Sequence, residues 1–387
     1  MNSRKIYFDN AATTPLHPKV FEKMLPFLKE HYGNPSSIHE FGRKVRVAVE
    51  EAREIVAGFI NASASEIYFV SGGTEANNFP VFGIARSEHN ESGRNHIVST
   101  GTEHHSILDS LKELTRQGFS ATVSEVNSDG SVDQERIVKA MNNKTSLVSV
   151  IHVNNETGTI NDIKSLSETA HLNNSYFHSD TVQSFGKLPL DSKYLGVDSL
   201  SFSSHKINGP KGAGAVYVKS GTPLSPLIFG GSQERNRRGG TENPAAIIGF
   251  AEAVRIASSE MQLNYTLIDS LRKSFIEGIR SIDTEGIVIN GGNNVLPHVL
   301  SLTFTHQYYN TDAEAMLIYL DINGVAASNG AACTSGTLKP SHVILSMGRD
   351  LSDAKGTLRF SFGSQNTLEE VEYVIAVLDK MARKFRL

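Results

Sequence analysis

The chain has 387 residues, with 37 Lys and Arg against 41 Asp and Glu, a formal net charge of −4 and a pI near 6.4. This length allows a large core and predicts two domains. The sequence has no basic stripe, so nucleic acid is not an expected partner, and no apolar run is long enough to predict a membrane span. The first ten residues lack the apolar segment of a signal peptide. The single cysteine, Cys333, excludes an intramolecular disulfide and a multi-cysteine zinc site, and we expect a cytoplasmic protein.

Short apolar strands alternate with amphipathic helical stretches from about residue 60 to residue 220. The pattern predicts strands at residues 66–70, 96–100, 121–126, 147–153, 176–179, 199–203 and 213–218. It also predicts a helix from Thr74, another over 106–115, and further helices between later strands. This alternation predicts an α/β fold with a mainly parallel sheet and helices on both faces. Ligands of such sheets bind at the carboxyl ends of the strands.

A polar loop rich in Arg and Gly, residues 230–243, marks a change in the pattern. The later segments predict helices at 245–258, 262–281, 312–320 and from 368, and strands at 287–290, 298–304 and 357–361. These elements predict a smaller α+β domain. Residues 323–337 are rich in Gly, Ala, Ser and Asn and include Cys333, which predicts a mobile loop.

Lys206 follows the predicted strand at 199–203 and precedes a turn containing Gly and Pro. A lysine at the end of a buried strand can lose its proton and form an imine with an aldehyde cofactor, usually pyridoxal phosphate. Most lysines near turns are simply solvated, so Lys206 alone does not establish this chemistry. Whether Lys206 binds an aldehyde cofactor therefore depends on the residues at the ends of the other strands.

Polar residues follow the other predicted strands. Gly73 and Thr74 open a helix, whose N-terminus attracts anions, although an ordinary helix cap is the simpler interpretation. His104 follows the strand at 96–100 and can equally be a solvated or capping histidine. Asp180 ends the strand at 176–179, and its carboxylate can be a helix cap, a metal ligand or the partner of a protonated ring nitrogen. These residue types are the ones that pyridoxal chemistry uses.

The sequence resembles the cysteine desulfurases, which are fold-type I pyridoxal-phosphate enzymes of the class V aminotransferase superfamily. It is most similar to their NifS- and IscS-like branch. Nine blocks carry the resemblance over nearly the whole chain: 7–15 (YFDNAATTP), 33–39 (GNPSSIH), 71–78 (SGGTEANN), 102–104 (TEH), 152–156 (HVNNE), 180–184 (DTVQS), 201–212 (SFSSHKINGPKG), 237–243 (RRGGTEN) and 330–333 (GAAC).

The resemblance implies a cofactor site for pyridoxal 5'-phosphate. In such a site Lys206 would bind the aldehyde, Asp180 would pair with the ring nitrogen, and Gln183 would bond the ring oxygen. Another residue, Thr241, would reach the phosphate in the other subunit of a homodimer. The full set expected to bind the cofactor is Gly73, Thr74, His104, Asn155, Asp180, Gln183, Ser203, His205, Lys206 and Thr241.

The resemblance also implies the reaction. Lys206, His104 and Cys333 would be the catalytic residues, with His104 stacked on the ring, while Asn155 and Arg359 would bind the carboxylate of L-cysteine. The thiolate of Cys333 would take the substrate sulfur as a persulfide, which leaves L-alanine. Acceptors of that sulfur include proteins of iron–sulfur cluster assembly and of tRNA thiolation.

The expected fold is that of the family. A large cofactor-binding domain, residues 15–258, would hold a mainly parallel seven-stranded sheet flanked by helices. Residues 1–14 and 259–387 would form a smaller α+β domain that carries the mobile Cys333 loop.

Other interpretations remain open. A selenocysteine lyase or another class V enzyme would use the same pocket, and a non-catalytic sulfur-relay protein could descend from such an enzyme. A metal-dependent protein is disfavoured because no His-Glu-x-x-His or comparable spacing occurs. The chain departs from common family residues at Ser232, Ala331 and Ser364, and it ends at Leu387, before the longer tail with which some relatives bind the iron–sulfur scaffold protein.

Overall fold

The structure is a computed structural model, which describes residues 5–329 and 339–387. Within them the strands are β1 Ile6–Tyr7, β2 Ile67–Val70, β3 His96–Thr100, β4 Ser120–Ser124, β5 Thr145–Ser149, β6 Tyr176–Asp180, β7 Ser199–Ser203, β8 Gly214–Val218, β9 Ile287–Asn290, β10 Val299–Phe304, β11 Val325–Ala326 and β12 Thr357–Ser361. The helices are α1 Pro18–Lys29, α2 Glu40–Phe59, α3 Gly73–Ser92, α4 His105–Arg116, α5 Gln134–Ala140, α6 Ile163–Leu172, α7 Ser192–Leu195, α8 Gln233–Asn236, α9 Pro244–Ile282, α10 Ala313–Ile322, α11 His342–Ser346, α12 Leu351–Lys355 and α13 Leu368–Phe385.

The larger sheet has seven strands in the order β2-β8-β7-β6-β5-β3-β4. Strands β3 to β7 pair in parallel, whereas β8 runs antiparallel to both β7 and β2. Residues 204–213 connect β7 to β8 without a crossover α-helix, and the two strands form an antiparallel pair. The prediction of a mainly parallel seven-stranded sheet flanked by helices is confirmed.

Helices cover both faces of this sheet, as predicted. On one face, buried side chains of α2, α6 and the first half of α9 pack against Phe177 and Phe202 of the sheet. On the other face, α3 and α4 pack against Ile97 and Leu147. The central strands β5, β7 and β8 are buried along their whole length, although β5 (TSLVS) and β7 (SLSFS) each carry three hydroxyl side chains.

A second sheet is antiparallel, with the order β12-β10-β9. Its core includes the second half of α9, α10 and α13, and also Ile6 and Phe8 from the start of the chain. Strand β1 pairs in parallel with β11. The division into residues 15–258 and residues 1–14 with 259–387 stays a prediction.

Two predicted helices and two predicted strands differ from the observed elements. The helices expected at 245–258 and 262–281 form the single helix α9, whose first half packs into the core of the large sheet and whose second half packs into the other core. No residue between Val254 and Ile268 is buried, so the two buried stretches are separated by an unburied one without a break in the backbone. The strand expected at 147–153 ends at Ser149, and the one expected at 121–126 is Ser120–Ser124.

The segment 323–337, expected to be a mobile loop, contains strand β11 near its start. Residues 330–337 of this segment lie outside the described part of the chain, so the expected mobility stays a prediction. Cys333 is one of those residues. Among the helices that are described, none combines the length and the apolar character needed to cross a bilayer.

Candidate active site

A cavity of about 470 Å³ lies at the carboxyl ends of β6 and β7, beside the first turn of α3. It brings together these residues that the sequence singled out: Gly73, Thr74, His104, Asn155, Asp180, Gln183, Ser203, His205, Lys206 and Arg359. Thr241 is exposed and does not line the cavity of this single chain, and Cys333 lies outside the described residues. The position of the cavity is the one that a parallel sheet predicts.

Lys206 ends the short 3₁₀ turn Ser204–Lys206 that follows β7. Its Nζ donates hydrogen bonds to the carbonyl oxygens of Ala11, at 2.5 Å, and Ala12, at 2.7 Å. Burial, together with the nearby Arg359 guanidinium, lowers the pKa of Lys206 to about 8, although two carboxylates oppose this effect. A useful fraction of this amine is therefore uncharged near neutral pH, as a nucleophile or a base must be.

Asp180 is the last residue of β6 and is buried. The side-chain amide of Asn77 donates to its Oδ2 at 2.6 Å, and the backbone N–H of Val182 donates to its Oδ1 at 3.0 Å. These two donors fix the orientation of the carboxylate at the wall of the cavity.

No metal grouping accompanies Asp180 in the described part of the chain. The one group of three side chains there that could share a metal ion is His306, Asp350 and Asp353, and none of the three lines the cavity. Asp353 already accepts a hydrogen bond from the backbone N–H of His306. The role of metal ligand that the sequence left open for Asp180 therefore has no support from its neighbours.

His104 caps helix α4 and also lines the cavity, so the capping interpretation and the site interpretation both apply. The backbone N–H of Ser106 donates to Nδ1 of His104 at 3.1 Å, which means that Nδ1 carries no proton. Burial lowers the pKa of His104, and the nearby Lys206 adds to this effect, while Asp180 opposes it. His104 is thus neutral, with its proton on Nε2.

The first turn of α3 offers free backbone N–H groups to the cavity. Gly72 occupies the N-cap position and has no side chain that could bond these N–H groups. A Cβ on Gly73 would come within 3.0 Å of Val182 Cγ2 and 3.5 Å of Ser203 Cβ, so a larger residue would narrow the cavity here. Because a helix N-terminus carries a partial positive charge, this turn suits an anionic ligand.

Two polar side chains face the same end of the cavity. The hydroxyl of Ser203 is buried and has no hydrogen-bond partner among the described residues. The ring nitrogen Nδ1 of His205 lies 3.1 Å from Oγ1 of Thr13, and burial lowers the pKa of His205 to about 4. A neutral imidazole and an unpaired hydroxyl can both bond a ligand oxygen.

Glu75 lies in the same first turn, where its negative charge would oppose an anion. Its carboxylate pairs with Arg238 at 2.9 Å and accepts a bond from the backbone N–H of Ser71 at 2.8 Å. These bonds outweigh the effect of burial and lower the pKa of Glu75. The charge of Glu75 is therefore neutralised within the protein.

Arg359 stands on β12 of the smaller sheet and reaches the cavity from that side. Its Nη1 donates to the carbonyl oxygen of Asn155, and its Nη2 donates to Oδ1 of Asp9, both at 2.9 Å. Its Nε is buried and has no partner in residues 5–329 and 339–387. A planar guanidinium with an unused donor fits a carboxylate ligand.

The sequence analysis assigned no role to four residues that the geometry brings into the site. Asn77 holds Asp180, Asp9 holds Arg359, and the carbonyl groups of Ala11 and Ala12 hold the amine of Lys206. These positions occur within the motif blocks, yet their contacts join residues far apart in the chain. Spacing along the sequence carries no signal for such pairs.

Comparison with known proteins identifies the family. Residues 6–374 match the family model described as Aminotransferase class-V. The cysteine desulfurase IscS of Dictyoglomus turgidum is 43% identical over 384 residues, which cover 99% of this chain and 96% of the relative. The corresponding IscS of Methanosarcina thermophila is 39% identical over 385 residues, with 99% and 93% covered.

Solved structures agree with this result. A NifS-like protein matches with a TM-score of 0.91 and 35% identity over 98% of this chain and 100% of its own. The protein SspA, solved in complex with cysteine, matches with a TM-score of 0.81 and 31% identity over 94% and 100%. The chain therefore belongs to the class V aminotransferase family and, within it, to the NifS- and IscS-like cysteine desulfurases.

Proposed function

We propose that this protein is a pyridoxal-phosphate-dependent cysteine desulfurase that takes sulfur from L-cysteine and leaves L-alanine. The observation that carries the proposal is the cavity in which an amine of lowered pKa, Lys206, faces Asp180 and Arg359. The structurally similar protein SspA was solved in complex with cysteine, which is the substrate proposed here.

The residues of the cavity fit pyridoxal phosphate. The uncapped first turn of α3 and the unpaired hydroxyl of Ser203 suit the phosphate, with Thr74 and His205 beside them. Lys206 suits the aldehyde, and the fixed carboxylate of Asp180 suits a protonated ring nitrogen.

The bound cofactor would supply an aldehyde for covalent attachment and an aromatic ring that accepts the electrons left when the Cα–H bond of the substrate breaks. Lys206 would take the Cα proton on Nζ, since its lowered pKa leaves a free amine available. The neutral ring of His104 would pack in the cavity with its Nε2 proton available to the substrate. The side chain of Gln183 would bond the ring oxygen.

Arg359 and Asn155 would hold the substrate carboxylate, which fixes the Cα–H bond relative to Lys206. The thiolate of Cys333 would then attack the substrate sulfur. A sulfur–sulfur bond forms, the bond from sulfur to Cβ breaks, and Cβ gains a proton to become the methyl group of alanine. Because the substrate carbon is reduced as sulfur is oxidised to the persulfide, no further oxidant is needed.

A homodimer in the cytoplasm, passing the sulfur to an acceptor of iron–sulfur assembly or tRNA thiolation, completes the proposal. Exposed apolar residues support an interface between copies: Phe21, Leu28, Tyr32, Ile38 and Phe41. The exposure of Thr241 in the single chain is compatible with a contact to a second copy. Sedimentation equilibrium tests the dimer directly.

The deciding experiment compares wild type with Cys333→Ser, both loaded with pyridoxal phosphate. Alanine and sulfide are measured from L-cysteine with a reductant, and the yellow colour verifies cofactor loading in both proteins. We expect the variant to keep its colour and lose turnover. Turnover that survives in the variant, or that occurs only with selenocysteine, would instead identify a lyase that needs no persulfide.

A further inference from the structure

A second cavity, of about 220 Å³, adjoins the first, and both are lined by Ala11, Gln183 and Lys206. Lys187 and His298 line the second cavity and do not line the first. Lys187 therefore lies behind Gln183 when viewed from the candidate active site. None of the steps proposed above uses it.

Lys187 has an unusual environment for a lysine. Its Nζ donates a hydrogen bond to Oε1 of Gln183 at 3.2 Å, and no carboxylate of residues 5–329 and 339–387 forms an ion pair with it. Burial, together with the charges of Lys206 and Arg359, lowers the pKa of Lys187 to about 7. An interior lysine without an acidic partner is costly, so its contact with Gln183 calls for an explanation.

The contacts of Gln183 determine the orientation of its amide group. Oxygen Oε1 accepts from Lys187, while Nε2 donates to the carbonyl oxygen of Ala11 at 3.0 Å. A carbonyl oxygen can only accept, so the group that bonds Ala11 must be the amide nitrogen, and the amide oxygen then faces Nζ of Lys187. The same carbonyl of Ala11 accepts from Lys206. Nε2 keeps one further hydrogen for a ligand in the first cavity.

We propose that Lys187 is a positioning residue, which holds the amide of Gln183 so that its Nε2 donates to the ring oxygen of the cofactor. The inference rests on the proposed function and adds a residue that does not itself line the cofactor cavity. The two side chains are four residues apart along a turn in which Gly186 has a φ of 73°, and this turn brings Nζ of Lys187 back to the Gln183 amide. If the amide flipped, its oxygen would face the ring oxygen, and two acceptors would oppose each other.

The test is the pH dependence of the visible absorbance of the loaded protein, measured without cysteine. A donor to the ring oxygen favours the more negative, deprotonated form of the bound chromophore. We therefore expect Lys187→Met to raise the pH at which the yellow band is half lost by roughly 0.5–1 unit. Lys187→Arg, which keeps the donor and the charge, should return most of this shift. Lys219→Met, at an exposed lysine, is the matched control.

A double-mutant cycle separates positioning from a direct effect of the charge. If Lys187 acts through Gln183, then Lys187→Met changes the midpoint little once Gln183→Ala is present. A direct charge effect would instead persist at full size in the Gln183→Ala background and would overturn the inference. If Lys187→Met does not fold, Lys187→Gln replaces it. Glutamine is polar but uncharged and shorter than lysine, and the same double-mutant cycle is measured with this variant.

The possible failures are distinguishable. If wild type forms no yellow band with pyridoxal phosphate, the proposed cofactor site is wrong and this inference falls with it. If the band forms but the midpoint of Lys187→Met equals that of wild type, only the inference is overturned. A raised midpoint that disappears in the Gln183→Ala background supports it.

Discussion

Arg359 and Asp9 form an ion pair in which Nη2 lies 2.9 Å from Oδ1, and this pair joins β12 to the N-terminal segment at the wall of the candidate active site. The Arg359 side chain is only 6% exposed. In the proposed function, a substrate carboxylate would bind a guanidinium that is already paired with the carboxylate of Asp9. The pair also adjusts the amine of Lys206, because Arg359 lowers its pKa while Asp9 raises it.

Asp9→Asn tests that electrostatic balance. Without the carboxylate, Arg359 acts on Lys206 unopposed by Asp9, so the pKa of Lys206 should fall further, by roughly half a unit. The rate at which the cofactor-free protein binds pyridoxal phosphate depends on the fraction of Lys206 that is uncharged. The pH at which this rate is half-maximal should therefore be lower in Asp9→Asn than in wild type. Asp379→Asn, on the exposed face of α13, is the control. An unchanged or raised midpoint would contradict the prediction.

Arg359→Gln should impair the use of L-cysteine while leaving cofactor binding intact. Removing a buried charged partner of a carboxylate costs about 2–5 kcal/mol, so we expect kcat/KM to fall by roughly 30- to 5,000-fold. Arg359→Lys should recover little, since lysine cannot reproduce the bidentate fork. The yellow colour should persist in both variants, and Arg349→Gln serves as the control. Equal kcat/KM in Arg359→Gln and wild type would remove Arg359 from the substrate site.

The sequence predicted most of what lies at the strand ends and little of what holds those residues in place. Lys206 and Asp180 follow apolar strands, so periodicity and chain order lead to the cavity. The partners of these residues come from elsewhere: Ala11 lies 195 positions from Lys206, and Asn77 lies 103 positions from Asp180. Such pairs depend on the path of the chain in three dimensions, which local pattern does not encode.

The continuity of α9 was missed for a related reason. Its two halves pack into different cores, and no residue between Val254 and Ile268 is buried, so the apolar pattern lapses there and looks like a break between two helices. The antiparallel direction of β8 likewise depends on the path of residues 204–213, which alternation of strands and helices alone does not specify.

The ion pair between Arg53 and Glu234 should be important for stability. Their side chains are 4% and 2% exposed, the two Nη–Oε distances are 2.7 and 2.9 Å, and the backbone N–H of Phe69 also donates to Glu234. Glu234 begins three consecutive non-glycine residues with positive φ, of 42°, 56° and 63°. Such backbone is strained and persists only where contacts hold it.

Glu234→Leu should therefore lower the free energy of unfolding by about 3–5 kcal/mol, because it leaves the buried charge of Arg53 without its main partner. The double variant Arg53→Met with Glu234→Leu should lose less than the single variant. Urea titration of the cofactor-free protein measures both effects, and Glu54→Gln, an exposed position on the same helix as Arg53, is the control. Equal stability of Glu234→Leu and wild type would show that the pair does not hold this turn.

Glu103 lies directly before His104 and is completely buried. Its Oε1 accepts hydrogen bonds from the hydroxyl of Thr100, at 2.7 Å, and the backbone N–H of Ile151, at 2.9 Å, while Oε2 has no partner among the described residues. Burial raises the pKa of Glu103 from 4.5 to about 8, and the nearby charge of Asp180 adds to this effect. Glu103 is thus protonated at neutral pH in the folded protein.

This shift makes stability depend on pH. The folded protein binds the proton of Glu103 more tightly than the unfolded chain does, so the stabilisation is complete below pH 4.5 and is lost as the pH rises through about 8. Glutamine has no proton to lose, so Glu103→Gln should gain stability relative to wild type between pH 5 and pH 9, by on the order of 5 kcal/mol at most. Urea titrations of both proteins at several pH values measure this difference, with the exposed Glu113→Gln as the control. A difference that stays constant across this range would mean that Glu103 is ionised in the folded protein at neutral pH.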